Sequence, residues 1–149
     1  MNPPLNGWRI FVHPCLNSQI ERVGASVVIL HASGDTSNLL RSQQQFLKAL
    51  ARVMYEVVPA SPGAPSHRLG HTLGSDATHW FRVKFLQQFR LFYRYDSTQK
   101  VIVFAWVNDE TSLRAYGSKT DAYAVFKKML DGGNPPSTFE ELLEQSREL

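Results

Sequence analysis

The chain contains one cysteine among its 149 residues. Cys15 thus has no disulfide partner in the chain, and no catalytic pattern accompanies it, so it reads as a buried thiol in a reducing compartment. Long apolar runs are also missing. Runs such as VIVFAWV at 101–107 fall far short of the roughly 18–20 residues needed to span a bilayer, which excludes a transmembrane segment. The opening MNPPLNGW has neither the basic n-region nor the apolar h-region of a secretory signal, and this predicts a cytoplasmic protein. Internal repeats and low-complexity runs are absent too. His67 and His71 lie four apart, but there is no HExxH frame and no third ligand nearby, so no metal site is expected.

Apolar residues make up 43% of the chain, with three Trp, five Tyr and nine Phe, enough to bury the core of one domain over 1–149. The net charge of +3 is unevenly spread. Residues 1–66 carry five basic and three acidic side chains, 67–130 carry ten and five, and 131–149 carry one and five. A basic middle points to a polyanionic partner, and residues 131–149 read as an acidic, helical C-terminal tail. The basic excess is densest in HWFRVKFLQQFRLFYRY at 79–95, where four Arg or Lys stand among seven aromatics with no acidic residue between them.

Periodicity organises the rest. GWRIFV at 7–12 places Trp8, Ile10 and Val12 on one face of a short strand. Leu16, Ile20, Val23, Val27 and Leu30 recur at helical steps. After SGDTSN, a second stripe runs through Leu40, Phe46 or Leu47, Leu50, Val53 or Met54, and Val57, giving a helical hairpin. Residues 58–75, with three Pro and three Gly, form a long connector. Period two then sorts the ribbon: Arg82 and Lys84 share one face, Gln87-Gln88 marks the turn, and Arg90, Phe92 and Arg94 return on the same side. KVIVFAWV reads as a central strand buried on both faces. Ser118 with Asp121, and Ser137 with Glu140, predict capping boxes for two C-terminal helices. The sum is an α+β fold in β-α-α-β-β-β-α order: a small, twisted, mainly antiparallel sheet against a helical hairpin, followed by C-terminal helices.

NGW at 6–8, HPC at 13–15, LGS at 73–75, RVKF at 82–85, QQFRLFYRY at 87–95, KVIVFAWVNDE at 100–110 and LRAYGSKTDAY to VFKKML at 113–130 resemble the YhaV toxins of bacterial toxin-antitoxin pairs. The likeness runs through nearly the whole chain. It implies a RelE-like fold and a cytoplasmic endoribonuclease that cleaves mRNA, alone or on the ribosome. It also implies silencing by a PrlF-like, AbrB-fold antitoxin, and the resulting hetero-oligomer would reach operator DNA through that antitoxin. FRLFYRY and AYAVFKKML further resemble RelE itself, whose cleft arginine and tyrosine fall here on Arg90 and Tyr123.

RNA cleavage without a metal requires three things: a deprotonated 2′-OH, stabilised phosphorane charge and a protonated leaving oxygen. Guanidinium forks suit the second task, which makes Arg82, Arg90 and Arg114 catalytic candidates and Arg94 an RNA-binding one. A lysine crowded by like charge gives up its proton more readily, so Lys84 and Lys119 are candidate bases. Tyr116 and Tyr123 are candidate proton relays or stacking platforms. His79 joins as an RNA contact, as do Lys127 and Lys128, although those two lysines also fit a solvated helix face. Arg94 equally fits an ion pair at the strand end, and Tyr93 and Tyr95 fit the core. A different class is open as well: a non-catalytic module of this fold that clamps nucleic acid or a protein target, as the ParE toxins clamp gyrase.

Overall fold

The computed structural model describes residues 5–35, 37–70, 72–74, 77–109 and 121–149. Its centre is a five-stranded sheet in the order β2-β3-β4-β1-β5, made of β1 (Arg9–Val12), β2 (Phe81–Phe85), β3 (Phe89–Asp96), β4 (Val101–Val107) and β5 (Arg147–Glu148). Every neighbouring pair is antiparallel except β1 with β4, which run parallel. The apolar run at 101–107 is the middle strand, buried along its whole length as its composition requires.

The helical hairpin, α1 (Pro14–Ala32) and α2 (Asn38–Arg52), covers one face of the sheet. His13 caps α1: its Nδ1 accepts the Cys15 N–H at 3.1 Å, while Pro14 supplies a preset φ at the first helical position. Of the stripe expected in α1, only Leu16 is fully buried; Ile20, Val23, Val27 and Leu30 are half-covered, and Val28 and Ile29 are 67% exposed. Farther along α1, Ser26 donates to Gln43 of α2 at 2.8 Å. The second stripe is corrected near its end. Val53–Val57 form a π-turn in which Val58 N–H bonds to Val53 C=O, followed by the short α3 (Val58–Ala60). The extra residue rotates the apolar face by one position, so Val58 is buried and Val57 is 37% exposed.

The opposite face is covered by the connector and the C-terminal helices α4 (Ala122–Asp131) and α5 (Phe139–Gln145). The connector is packed: Leu69 and Leu73 are buried, as are Ala77 and Trp80 just after it. A bulge sends both Ala105 and Trp106 to this face, because Phe92 pairs with Trp106 while Tyr93 pairs with Phe104. Phe126 stacks on Phe92 at 4.1 Å and on Trp106 at 5.7 Å.

Both predicted caps shift. Asp121 itself caps α4, its carboxylate accepting Tyr123 N–H at 3.2 Å; Ser118 lies outside the described residues. For α5, Thr138 accepts Glu141 N–H at 3.4 Å, displacing Ser137. Thr138 with Glu141 offers the same sequence signature one residue later, and the sequence alone does not choose between the two. The tail is only partly helical. After Gln145 it adds β5 to β1, and Arg9 grips Glu148 through two hydrogen bonds of 2.9 and 2.8 Å. Four strand spacings, about 19 Å, separate β5 from the basic edge strand β2.

Candidate active site

The cationic ribbon folds as the β2–β3 hairpin. Leu86 (φ 47°) and Gln87 (φ 65°) reverse the chain one residue earlier than the Gln87-Gln88 expectation, both in the left-handed region where side chains are disfavoured. The register pairs Lys84 with Arg90 and Arg82 with Phe92. Arg82, Lys84, Arg90, Phe92 and Arg94 therefore share the face that α4 packs against, and Val83, Phe85, Leu91 and Tyr93 enter the core under the helical hairpin.

Arg82 is held at three points by uncharged oxygens. Its Nε donates to the Tyr123 hydroxyl at 3.0 Å, and one terminal nitrogen donates to the carbonyls of Ser66 (3.1 Å) and Arg68 (3.0 Å). Tyr123 stands in the first turn of α4 and is fixed edge-on against Phe92, centroids 5.7 Å apart. A cation from an edge strand and a phenol from a helix start are thereby locked together across 41 residues of sequence.

Arg90 is 7% exposed. One terminal nitrogen donates to Gln87 C=O at 2.6 Å and Phe89 C=O at 3.3 Å, while its buried Nε finds no hydrogen-bond partner among the described residues. Arg94 Nε is buried in the same state. Lys84, directly across the ladder from Arg90, is exposed.

The other predicted residues are dispersed. Arg94 lies four residues along β3 from Arg90, about 13 Å away. It donates to Ser137 C=O and sits over the rings of Trp80 (5.9 Å) and Phe139 (5.8 Å), where burial lowers its proton affinity. Its partners are a carbonyl and two aromatic rings, not the strand-end carboxylate considered from sequence. Lys127 pairs with Asp131 at 2.7 Å one turn beyond Tyr123, and Lys128 and His79 are exposed. Arg114, Tyr116 and Lys119 lie outside the described residues, as does His71. His67 turns inward: Tyr93 OH donates to Pro62 C=O at 2.5 Å, so the 3.0 Å contact makes His67 Nδ1 the donor to the phenol oxygen. Burial first, then the Arg82 charge, lower the pKa of His67, and burial raises that of Tyr93.

Sequence reasoning missed Asn108 and the role of the connector. Asn108 is fully buried; its Oδ1 accepts Arg90 N–H at 2.6 Å and its Nδ2 donates to Gln88 C=O at 2.9 Å. An amide directly after a buried strand was the available signal, because a buried amide needs partners on both its atoms. The carbonyls of Ser66 and Arg68 left no signal, since any residue supplies one.

Comparison with known proteins gives the chain a family. Residues 10–147 match a family described as a toxin with endonuclease activity, of toxin-antitoxin system. The toxin YhaV of Escherichia coli O6:H1 is 38% identical over 146 residues, covering 97% of this chain and 95% of that protein. The ribonuclease toxin YhaV of Escherichia coli K12 and the toxin YhaV of Escherichia coli O157:H7 match to the same extent. No solved structure matches the chain.

Proposed function

Because the chain belongs to the YhaV family of toxins with endonuclease activity, we propose that its substrate is RNA and that the α4-facing side of the β2–β3 hairpin is where cleavage occurs. The observation that carries this reading is the Arg82–Tyr123 hydrogen bond beside the Lys84–Arg90 cross-strand pair. In this reading the ribose 2′-OH attacks the adjacent phosphorus, the 5′-oxygen departs, and a 2′,3′-cyclic phosphate remains. Arg82 and Arg90 stabilise the extra negative charge of the phosphorane, for which a fixed guanidinium is well suited. A phenol whose oxygen accepts a charged hydrogen bond donates its own proton more strongly, so Tyr123 is placed to protonate the leaving oxygen. Lys84, the exposed member of the pair, meets the incoming backbone as a cation and is the base candidate in its deprotonated form, which takes the 2′-OH proton.

The wider reading follows the same family. The fold is RelE-like, Arg114, Tyr116 and Lys119 are further catalytic candidates by family likeness, and Arg94, His79, Lys127 and Lys128 extend the RNA path. The message is cut free or on the ribosome, in the cytoplasm. A PrlF-like antitoxin neutralises the protein and, in complex with it, represses their shared operon. No described helix is long and apolar enough to cross a membrane.

The test is cleavage of a defined single-stranded RNA by purified protein in excess chelator, with and without ribosomes. Products ending in 2′,3′-cyclic phosphate are expected, with Arg90→Ala and Tyr123→Phe each slowed about 100-fold, as for loss of one preorganised donor. Binding without cleavage by wild type under both conditions would replace the enzyme with a clamping module of the same fold.

A further inference from the structure

The end of β4 is held on both sides by amide side chains. On one side Gln19 of α1 stands in for a missing strand, its Nε2 donating to Val107 C=O at 2.6 Å and its Oε1 accepting Val107 N–H at 3.2 Å. On the other side the next residue, Asn108, reaches the β2–β3 turn. Its backbone N–H donates to Arg90 C=O at 3.4 Å, its Oδ1 accepts Arg90 N–H, and its Nδ2 donates to Gln88 C=O. Asn108 therefore contacts Arg90 through both backbone atoms and holds the turn from the far side.

That turn needs holding. Leu86 and Gln87 occupy left-handed conformations normally taken by Gly or Asn, which leaves the reversal under local strain. The Arg90 guanidinium in turn rests on the carbonyls of Gln87 and Phe89, so any shift of the turn moves the charge. A shift of about 1 Å at a reacting centre can cost 100-fold in rate.

We propose that Asn108 is a positioning residue for RNA cleavage: it fixes the Arg90 backbone and the β2–β3 turn, so that the Arg90 guanidinium has one place to stand. This rests on the ribonuclease reading above, and it assigns Asn108 no contact with RNA. Replacing Asn108 with Ala strands the Arg90 N–H and the Gln88 C=O and frees the turn. The effect should appear in kcat, with KM nearly unchanged, because Lys84 and the rest of the basic face stay in place.

A double-mutant cycle separates positioning from mere folding. Asn108→Ala is expected to lower kcat about tenfold or more in the wild-type background, with KM within about threefold, and to have no further effect on kcat in Arg90→Ala, because the two act through one group. Thermal stability should fall by the same amount in both backgrounds. An equal kcat loss in both backgrounds, or none in wild type, would overturn the proposal. If Asn108→Ala does not fold, Asn108→Asp, which keeps the acceptor for Arg90 and loses the donor to Gln88, goes through the same cycle. Failure of the ribonuclease reading shows separately, as wild-type protein that binds RNA without cutting it. The same cycle is then measured on RNA affinity: loss in wild type but not in Arg90→Ala supports the positioning role, and equal loss in both refutes it.

Discussion

At the scale of single residues, burial and partners decide what each side chain can do. His13 shows this away from the cleft. Its Nδ1 accepts from the Cys15 N–H, so the ring proton sits on Nε2 and is donated to Gln145 Oε1 at 2.8 Å. One neutral imidazole thus joins the start of α1 to the end of α5. Burial lowers its pKa, and the Gln145 contact opposes this only in part. The unfolded chain therefore takes up the proton more readily than the folded one, so the contribution of His13 to stability is complete above its ordinary value near 6.5 and is lost as pH falls below it. His67, lowered in the same direction, adds to the trend. Urea midpoints are expected to fall between about pH 7.5 and pH 5.5, and His13→Asn, which caps without titrating, should shrink that difference. An undiminished pH dependence in the variant would remove His13 as its source.

At the scale of elements, the C-terminal segment was the least readable from composition. Its acidity suggests a solvated helix, or a cover for the basic ribbon. Instead Leu142 is fully buried, the last residues extend the sheet as β5, and Glu148 is taken by Arg9 at the edge remote from β2. A chain ending at Gln145 should lose roughly 1–3 kcal/mol of stability, the scale of a few backbone hydrogen bonds. Its cleavage rate per folded molecule should not change. A rise in that rate would revive a covering role for the tail. The hairpin of α1 and α2 was legible because 3.6-residue spacing survives in any context, whereas the π-turn that exchanges Val57 for Val58 leaves no mark in the pattern.

For the whole molecule, the charge distribution matters more than the total. Of the basic residues in the middle third, Arg82, Lys84, Arg90 and Arg94 share one face of the β2–β3 hairpin, where Lys84 is exposed beside the buried Arg90. RNA affinity should weaken steeply with salt. Lys84→Ala should reduce the slope of log affinity against log salt by about 0.7, the value for one phosphate contact on a single strand. An unchanged slope in a folded variant would move the RNA path off this face.

The sequence by itself determined the α+β class, the helical hairpin, the central strand and the face shared by Arg82, Lys84, Arg90 and Arg94, because these follow from periods of 3.6 and 2 that local backbone geometry enforces. Family motifs likewise carried the kinship with the YhaV toxins. Tertiary structure decided what periodicity cannot encode: that Arg82 meets Tyr123, that Arg94 is held by aromatic rings and a carbonyl, that Asn108 clasps the turn beneath Arg90, and that the acidic end becomes an edge strand. Each of these pairs residues distant in sequence, and such pairing is set by how sheet and helices pack, where hydrogen bonds to backbone carbonyls are open to any residue that arrives.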